Sequence, residues 1–371
     1  MTPGPVQVPE NVRLARSIST TNADLDPQFY DEYKETCELI SKLLHTKNET
    51  LILSGEGILG LEAACASMTE SGDRVLILDN GIYGAGFADF VSMYGGTPVM
   101  YTKDYKNAFD VNELDAYLKK DHDFKYATIV HCDTPSGMLN DIHKICPLLK
   151  SYGIMTVTDS VSGMFGNEVD VDKAQIDILC GGSQKAVSAP PGLTFVTISD
   201  EAKAAMENRK TPIASFYCNL TIFKDYYKNL WFPYTMPISD IYGLKAAIDN
   251  ITADKDLIKR HAKIANATRE ALKEFGIKLH LESGFSDTVT VFDVPEGMTA
   301  DDILKRMREE HHIMLAGSFG DLAGKVIRIG HMGASANVGD MLEVMSGLEE
   351  TLRYLGWKSE KSLLKSFHDK L

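Results

Sequence analysis

The chain has 371 residues, of which 44% are hydrophobic and 24% charged, and its formal net charge is −14. These values are typical of a soluble globular protein with room for two domains, and the negative charge argues against nucleic acid or an anionic membrane as a partner. No apolar run approaches the ~20 residues needed to cross a bilayer, and no signal-peptide pattern opens the chain, so we expect a cytoplasmic protein. The six cysteines form no CxxC pair and are expected to be buried free thiols.

The first 20 residues are rich in proline and are predicted to be an extended arm. Beyond them, apolar spacing predicts helices that alternate with short strands, a pattern typical of a mainly parallel, doubly wound α/β sheet. The predicted elements are helix 28–46, strand 51–53, helix 61–68, strand 75–78, helix 85–94, strand 98–101, helix 111–120, strand 127–131, helix 142–152, and strands 155–158, 176–180 and 193–198.

The last third of the chain is predicted to form a smaller α/β domain. A long helical region, 239–275, leads into a βαβ-like segment made of strand 288–294, helix 300–310 and strand 326–329. The sequence therefore predicts an arm (1–20), a large cofactor-binding domain (21–250) and a small C-terminal domain (251–371).

The most informative residue of the chain is Lys185. It lies in the run Gly-Gly-Ser-Gln-Lys-Ala, between an apolar strand and an Ala-Pro-Pro-Gly turn. Such surroundings desolvate an ammonium group and lower its pKa, which an imine-forming amine requires. Asp159 ends another apolar run upstream, and a lysine with an aspartate that pairs with a pyridinium nitrogen is the combination that pyridoxal chemistry needs.

Other polar side chains also follow directly after predicted strands. In a doubly wound sheet, ligands bind at the carboxyl ends of strands, so these residues are expected to share one pocket with the lysine. They are Glu56, Tyr83, Thr134, Asp159 and Lys185.

Seven motifs occur in an order that extends over nearly the whole chain. They are Thr-Pro-Gly-Pro at residue 2, Gly-x-Gly at 55, Asn-Gly-Ile-Tyr-Gly at 80, Asp-Thr-Pro-Ser-Gly at 133, Asp-Ser-Val at 159, Gly-Ser-Gln-Lys-Ala at 182 and Arg-Ile-Gly-His-Met-Gly at 328. Together they resemble the class V, fold-type I aminotransferases. The most similar groups are the alanine– and serine–glyoxylate aminotransferases and pyridoxamine–pyruvate aminotransferase. The resemblance implies a large domain with a mainly parallel seven-stranded sheet, a smaller C-terminal α/β domain, and pyridoxal 5′-phosphate as cofactor.

The resemblance also implies a role for each matching position. Lys185 would be the Schiff-base lysine and proton shuttle, and Asp159 would pair with the ring nitrogen. Tyr83 would stack on the ring, Val161 would pack beneath it, and Thr134 or Ser136 would bond its 3-oxygen. Arg328 would hold the substrate carboxylate, with Pro3 and Gly4 beside the substrate. The cofactor phosphate would be surrounded by Glu56, Gly57, Ile58 and Gln184, with Phe232 and Thr235 contributed by the neighbouring subunit.

The phosphate site departs from the glyoxylate enzymes at two positions. Glu56 stands where those enzymes have a hydroxyl, and a carboxylate repels a phosphate dianion. Phe232 stands where they have a tyrosine. Both changes resemble pyridoxamine–pyruvate aminotransferase, which takes unphosphorylated pyridoxamine as a substrate. A glutamate could there accept a hydrogen bond from the 5′-hydroxymethyl group.

Three features of the match differ from pyridoxamine–pyruvate aminotransferase. Gly57 keeps a backbone N–H where that enzyme has proline, so anion-binding capacity remains. Gln184 is closer to the glyoxylate enzymes. A second substrate arginine, expected near residue 318, is replaced by Ser318-Phe319. Glu56 could also point away from the pocket as a helix cap.

The expected function is therefore ping-pong transfer of an amino group to pyruvate or glyoxylate, in a homodimer or homotetramer. Pyridoxamine–pyruvate transfer, with unphosphorylated pyridoxal or pyridoxamine as substrate, is the leading subclass. Alanine– or serine–glyoxylate transfer with tightly bound pyridoxal phosphate is the alternative. A desulfurase would need a mobile cysteine in a loop of the C-terminal third, which the sequence lacks, and no metal is expected, because the adjacent His311 and His312 would point in different directions on a helix.

Overall fold

The computed structural model describes residues 1–371, and eleven short strands supply its sheets. The strands are β1 (Glu49–Ser54), β2 (Arg74–Asp79), β3 (Thr97–Thr102), β4 (Tyr126–Val130), β5 (Cys132–Asp133), β6 (Met138–Leu139), β7 (Met155–Asp159), β8 (Ile178–Gly182), β9 (Leu193–Ile198), β10 (Val289–Asp293) and β11 (Val326–Gly330).

Fourteen α-helices surround or extend these sheets. They are α1 (Glu10–Ala15), α2 (Pro27–Leu43), α3 (Gly57–Met68), α4 (Ile82–Met93), α5 (Val111–Leu118), α6 (Ile142–Ser151), α7 (Val171–Ala174), α8 (Asp200–Glu207), α9 (Tyr226–Asn229), α10 (Ile238–Ala253), α11 (Leu257–Glu274), α12 (Ala300–Glu310), α13 (Val338–Tyr354) and α14 (Leu363–Asp369). None of them is long and apolar enough to cross a membrane.

The main sheet has seven strands in the order β1-β9-β8-β7-β4-β2-β3. Strand β9 runs antiparallel to both β1 and β8, and every other neighbouring pair is parallel. The predicted mainly parallel seven-stranded sheet is therefore confirmed. Parallel pairing of β7 with β8 places their carboxyl ends side by side, which brings the segment after Asp159 next to the segment that carries Lys185.

The N-terminal arm is not extended throughout, as the sequence analysis expected. Residues 10–15 form α1, which packs against α10. The proline content of the arm did not reveal this helix, because Pro9 precedes its first residue and so does not interrupt it. The long helical region is two helices, α10 and α11, separated at residues 254–256.

The predicted βαβ unit of the C-terminal part is wrong in one respect. Strands β10 and β11 are adjacent but antiparallel. After α12 the chain passes β11 at Ala316, which pairs antiparallel with Arg328, and only then turns back into β11. The chain at Ala316 therefore runs parallel to β10, with β11 between them, although it contributes only an isolated bridge.

Buried apolar side chains form two clusters. One contains 74 residues and fills the space around the main sheet, and the other contains 22 residues between Ile264 and Phe367. The larger cluster also includes residues beyond 250, among them Val289, Val291 and Val326, so the division of the chain near residue 250 stays a prediction. All six cysteines are buried and unpaired, as expected.

Candidate active site

Lys185 lies in a turn that follows β8 and is held by hydrogen bonds on both sides. The hydroxyl of Ser183 donates to the carbonyl of Pro190 (2.6 Å), and the backbone N–H of Ser188 donates to the carbonyl of Lys185 (2.9 Å). The Lys185 ammonium donates to the Pro3 carbonyl at 2.7 Å. Burial lowers the pKa of this amine, while the nearby Arg328 lowers it further. Both effects favour the neutral amine, which is the form that a nucleophilic lysine requires.

Asp159 is the last residue of β7 and is buried, and it lines the same cavity as Lys185. One carboxylate oxygen accepts the backbone N–H of Val161 at 2.9 Å. Burial raises the pKa of Asp159 to about 7, and Asp133 adds to the rise while Lys185 opposes it. A cationic nitrogen placed at the second oxygen would favour the ionised form, because opposite charges in contact stabilise each other.

A cavity of about 220 Å³ opens above these two residues. Its wall contains most of the predicted cofactor site. The lining residues are Gly4, Pro5, Glu56, Gly57, Ile58, Leu61, Tyr83, Asp159, Val161, Ser162, Gln184 and Lys185. Residues separated by up to 181 positions in the sequence therefore converge at the carboxyl ends of β1, β2, β7 and β8.

Tyr83 lies in the first turn of α4, and Asp133 anchors that turn. One carboxylate oxygen of Asp133 accepts the backbone N–H of Tyr83 (3.0 Å), and the other accepts the hydroxyl (2.7 Å) and backbone N–H of Ser136. A Cβ on Gly81 would lie 2.7 Å from the Asp133 carboxylate, so only glycine fits there. Asp133 was not among the predicted site residues, although it is the first residue of the Asp-Thr-Pro-Ser-Gly motif.

Glu56 caps α3 and also lines the cavity, so it is a helix cap, as one interpretation of the sequence held, but it does not point away from the pocket. One carboxylate oxygen accepts the backbone N–H of Ile58 at the start of α3 (3.1 Å), and the other accepts the side-chain amide of Gln184 (2.9 Å). The side-chain amide oxygen Oε1 of Gln184 is buried without a partner. This end of the cavity therefore offers hydrogen-bond acceptors.

The N-terminal residues form a strap over the lysine. Gly330 donates its backbone N–H to Met1, and Val6 donates to the carbonyl of Gln184. Between these ends, Gly4 has φ +103°, and a Cβ there would lie within 2.8 Å of Lys185 Nζ. The Pro3 carbonyl and the space left by the absent side chain of Gly4 accommodate the lysine. Gly4 also lines the cavity, and the position of Pro3 and Gly4 beside the substrate stays a prediction.

Arg328 lies on β11, next to the cavity but outside its lining. Its Nε donates to the carbonyl of Gly317 (2.6 Å) and its Nη1 to the carbonyl of Thr134 (3.4 Å). Burial lowers the pKa of the guanidinium, and the nearby Tyr83 and Asp133 oppose the shift. These bonds fix the orientation of the group and leave Nη2 without a protein acceptor.

The structure does not bring every predicted residue to the cavity. Thr134 and Ser136 are buried behind it, and the Ser136 hydroxyl is directed to Asp133 because the tight turn between β5 and β6 folds back on itself. The Phe232 ring is 3% exposed in an aromatic cluster of its own chain, 4.5 Å from the ring of Tyr30. Thr235 contacts Asp24 at 3.4 Å.

Two further residues hold the backbone that follows β11: Ser188 from the lysine turn and His261 from α11. The Ser188 hydroxyl accepts the backbone N–H of Ala334 (2.8 Å), and His261 accepts that of Gly333 (2.9 Å). Burial lowers the pKa of His261 to about 4, so the ring stays neutral and its second nitrogen donates to the carbonyl of Leu257. Neither residue has a local sequence signal, since each bonds to a segment more than 70 residues away along the chain.

Comparison with known proteins gives this geometry a family. The model of the family "Aminotransferase class-V" matches residues 12–328. The chain belongs to the class V aminotransferases. The pyridoxamine–pyruvate transaminase of Mesorhizobium japonicum is 32% identical over 347 residues, which cover 91% of this chain and 86% of that protein. The alanine–glyoxylate aminotransferase of Callithrix jacchus is 30% identical over 365 residues, which cover 95% of this chain and 87% of that protein.

Solved structures show the same relationship in this class V aminotransferase. The pyridoxamine–pyruvate aminotransferase of Mesorhizobium loti superimposes with a TM-score of 0.95 at 28% identity, over 100% of this chain and 95% of the other. The predicted fold-type I architecture and aminotransferase activity are thereby confirmed, and the family implies pyridoxal phosphate chemistry.

The pyridine part of a pyridoxal group fits the residues present. Lys185, Asp159 and the faces offered by Tyr83 and Val161 surround the cavity, and Gly57 leaves space that a Cβ, 2.8 Å from Val161, would fill. The phosphate end fits less well, because Glu56 already occupies the Ile58 N–H at the N-terminus of α3, where an anionic ligand would otherwise bind.

Proposed function

We propose that this class V aminotransferase transfers the amino group of free pyridoxamine to pyruvate or another small 2-oxo acid. The observation that carries the subclass is the engagement of both Glu56 oxygens, one with the Ile58 N–H and one with Gln184. A 5′-hydroxymethyl group brings a donor to this acceptor-rich end, whereas a phosphate brings a second negative charge and only acceptors.

The residues of the site can be assigned steps of amino transfer. A bound pyridoxal ring would supply an electron sink for the α-carbon of an amino acid. Lys185 Nζ would take and return the proton at that carbon, a role that its burial favours because burial lowers the pKa of the amine. Asp159 would pair with the ring nitrogen and keep its proton in place, and Tyr83 would cover one ring face.

Arg328 would orient the 2-oxo acid. Its Nε is occupied by Gly317, so a carboxylate can be held end-on by Nη1 and Nη2 rather than along the Nε edge. A bidentate, charge-assisted pair of this kind fixes position as well as affinity. Thr134 supports the guanidinium through its carbonyl rather than through its hydroxyl.

The assembly and location belong to the same proposal. Phe232 and Thr235 do not line the cavity of their own chain, and we propose that the segment containing them approaches the site of a second copy in a homodimer or homotetramer. Exposed aromatic side chains on the preceding segment support this, with Phe216 exposed to 57% and Trp231 to 55%. The negative charge and buried free thiols favour the cytoplasm.

A second candidate is transfer to glyoxylate with tightly bound pyridoxal phosphate. The backbone N–H of Gly57, at the N-terminus of the twelve-residue helix α3, favours it. The relative from Callithrix jacchus carries a glyoxylate activity in its name. The two candidates differ in the affinity that they predict for pyridoxal phosphate relative to pyridoxal.

Binding titrations with pyridoxal and with pyridoxal phosphate distinguish the two. We expect wild-type protein to prefer pyridoxal, and Glu56→Ser to move the preference toward the phosphate form, since removal of a like charge relieves repulsion of about 1–4 kcal/mol. Glu56→Gln keeps the shape and removes the charge, so it should move the preference in the same direction. Tight retention of the phosphate form by wild-type protein, unchanged in both variants, would favour the glyoxylate enzyme.

A further inference from the structure

Helix α4 begins without a capping side chain of its own. Its N-cap residue is Gly81, which has no side chain, and the first turn of the helix contains no acidic residue. The acceptor that a serine or an aspartate usually provides at this position comes instead from Asp133, which lies 50 positions from Tyr83 along the chain. One oxygen of the Asp133 carboxylate accepts the backbone N–H of Tyr83 at 3.0 Å. Asp133 therefore fixes the start of the helix that carries the Tyr83 ring.

The second oxygen of the same carboxylate holds the tight turn between β5 and β6. It accepts the hydroxyl of Ser136 at 2.7 Å and the backbone N–H of Ser136 at 3.3 Å. The Thr134 carbonyl of this turn accepts Nη1 of Arg328 at 3.4 Å. Through the turn, Asp133 thus supports the guanidinium that is predicted to hold the substrate carboxylate.

The turn between β5 and β6 is also attached on its other side. The Gly137 carbonyl accepts the backbone N–H of Ser286 at 3.1 Å, and the backbone N–H of Leu139 donates to the carbonyl of Gly284 at 2.7 Å. A Cβ on Gly137, which has φ +81°, would lie 2.8 Å from the side chain of Val291. Because these contacts fix the turn independently of α4, the bond between Asp133 and Tyr83 sets the position of α4 relative to the turn.

The hydrogen bonds at Asp133 require a carboxylate. The residue is 1% exposed, and three donors converge on its two oxygens: the N–H of Tyr83 and both the O–H and the N–H of Ser136. An amide of the same shape has one acceptor oxygen and one NH2 group, so at least one of these donors would face another donor. Burial raises the pKa of Asp133, while the bonds from Ser136 and Tyr83 and the charge of Arg328 favour its ionised form.

We propose that Asp133 is a positioning residue for amino transfer, which holds the Tyr83 ring and the Arg328 guanidinium in register through the two oxygens of one carboxylate. Asp133 does not line the cavity, so it acts through these two groups and not on the substrate. The inference rests on the proposed roles of Tyr83 and Arg328 and adds the residue that relates them. A displacement of about 1 Å in such a group can lower the rate on the order of 100-fold.

The test displaces the Asp133 carboxylate while its charge is kept. In Gly81→Ala the new Cβ would lie 2.5 Å from the carboxyl carbon of Asp133, and the φ of Gly81, −174°, is one that alanine adopts without strain. We expect Gly81→Ala and Asp133→Asn to bind pyridoxal at least about tenfold more weakly than wild-type protein. Once loaded with pyridoxal, both should bind propionate at least about fivefold more weakly. Fluorescence titration measures the first affinity, and calorimetry measures the second.

Each variant has a matched control. Gly86→Ala adds a Cβ in the same helix at a position with no atom within 4 Å. Asp177→Asn removes a carboxylate that is 2% exposed and accepts the backbone N–H of Thr156 at 2.9 Å, directly before β8 and at the end of the sheet opposite to the cavity. Both controls should leave the two affinities within about twofold of wild-type protein, and urea unfolding of all four variants shows how much stability each one loses.

A double-mutant cycle with Tyr83→Ala separates position from charge. This variant keeps the backbone N–H that Asp133 accepts but lacks the ring that Asp133 would position, so adding Asp133→Asn should change the pyridoxal affinity less than about threefold. The loss of a charge alone would act equally with and without the ring. An undiminished effect of Asp133→Asn in the Tyr83→Ala protein, or wild-type affinities in Gly81→Ala, would overturn the positioning role.

The proposed function can fail independently of this inference. Absence of transfer from pyridoxamine to any 2-oxo acid would contradict the proposed function, while the pyridoxal and propionate affinities would still test Asp133. If wild-type protein binds pyridoxal phosphate more tightly than pyridoxal, the same titrations are made with the phosphate form, and the same losses are expected.

Discussion

At the scale of single residues, Lys185 is the only amine among the residues that line the cavity. Lys185→Ala should therefore abolish amino transfer, because no other group can form the imine or move the proton. Lys185→Arg keeps the positive charge and should be equally inactive, which separates nucleophilic chemistry from electrostatics. Steady-state assays of both variants check this, and substantial activity in either one would exclude Lys185 as the nucleophile.

Asp159 predicts a measurable pH dependence of stability. Its pKa is about 7 in the folded chain against 3.8 for an ordinary aspartate, so the folded state holds the proton more tightly and this group makes folding less favourable as pH rises from about 4 to about 7. Between pH 5 and pH 8, wild-type protein freed of pyridoxal should lose about 2–3 kcal/mol more unfolding free energy than Asp159→Asn. Urea unfolding of both proteins at the two pH values measures the difference. Equal losses in wild-type protein and Asp159→Asn would show that the pKa of Asp159 is not raised by folding.

The sequence predicted those site residues that a motif in their own segment of the chain identifies. Lys185, Asp159 and Glu56 each follow a strand in a distinctive motif, and the cavity contains all three. Thr134 or Ser136 was expected at the ring oxygen; the Ser136 hydroxyl is bonded to Asp133, and neither residue lines the cavity. The bonds of Asp133, Ser188 and His261 connect distant segments, and no pattern within one segment could reveal them.

At the scale of elements, the strap formed by residues 1–6 is required for placing the lysine. Gly4→Ala should lower kcat strongly, since the new Cβ would meet Lys185 and an alanine at φ +103° is strained. Gly297→Ala is the matched control, because Gly297 also has a positive φ (+82°) but no atom lies within 4 Å of its Cβ position. Both variants should lose about 1 kcal/mol of stability, and only Gly4→Ala should lose activity. Similar activities in the two would show that the strap moves freely.

The elements themselves were largely predictable from apolar spacing. Strand 193–198 and helix 300–310 are found at their predicted bounds, because buried apolar runs and amphipathic repeats are local properties. Helices α3 and α4 begin earlier than predicted, at Gly57 and Ile82, since Glu56 and Asp133 satisfy their first N–H groups. The antiparallel pairing of β10 with β11 was missed because it depends on the extra pass of the chain at Ala316.

At the scale of the whole molecule, the apolar surface of residues 216–231 predicts self-association. Phe216, Tyr217, Leu230 and Trp231 are between 49% and 57% exposed, and such a concentration of large apolar side chains typically marks an interface. Sedimentation should show a dimer or tetramer, and Trp231→Glu should weaken it. Tyr354→Glu changes a side chain outside this surface that is 70% exposed and packs against the Arg306 guanidinium, and it should leave the association intact. A fully active wild-type monomer would contradict the shared site.

The central claim is that Lys185 catalyses transfer of the amino group of pyridoxamine to a small 2-oxo acid. The direct measurement is incubation of purified wild-type and Lys185→Ala proteins with ¹⁵N-labelled pyridoxamine and pyruvate, followed by quantification of pyridoxal and labelled alanine. The account predicts equal amounts of both products with wild-type protein and neither with Lys185→Ala. Labelled alanine formed equally well by Lys185→Ala, or none formed by wild-type protein, would contradict it.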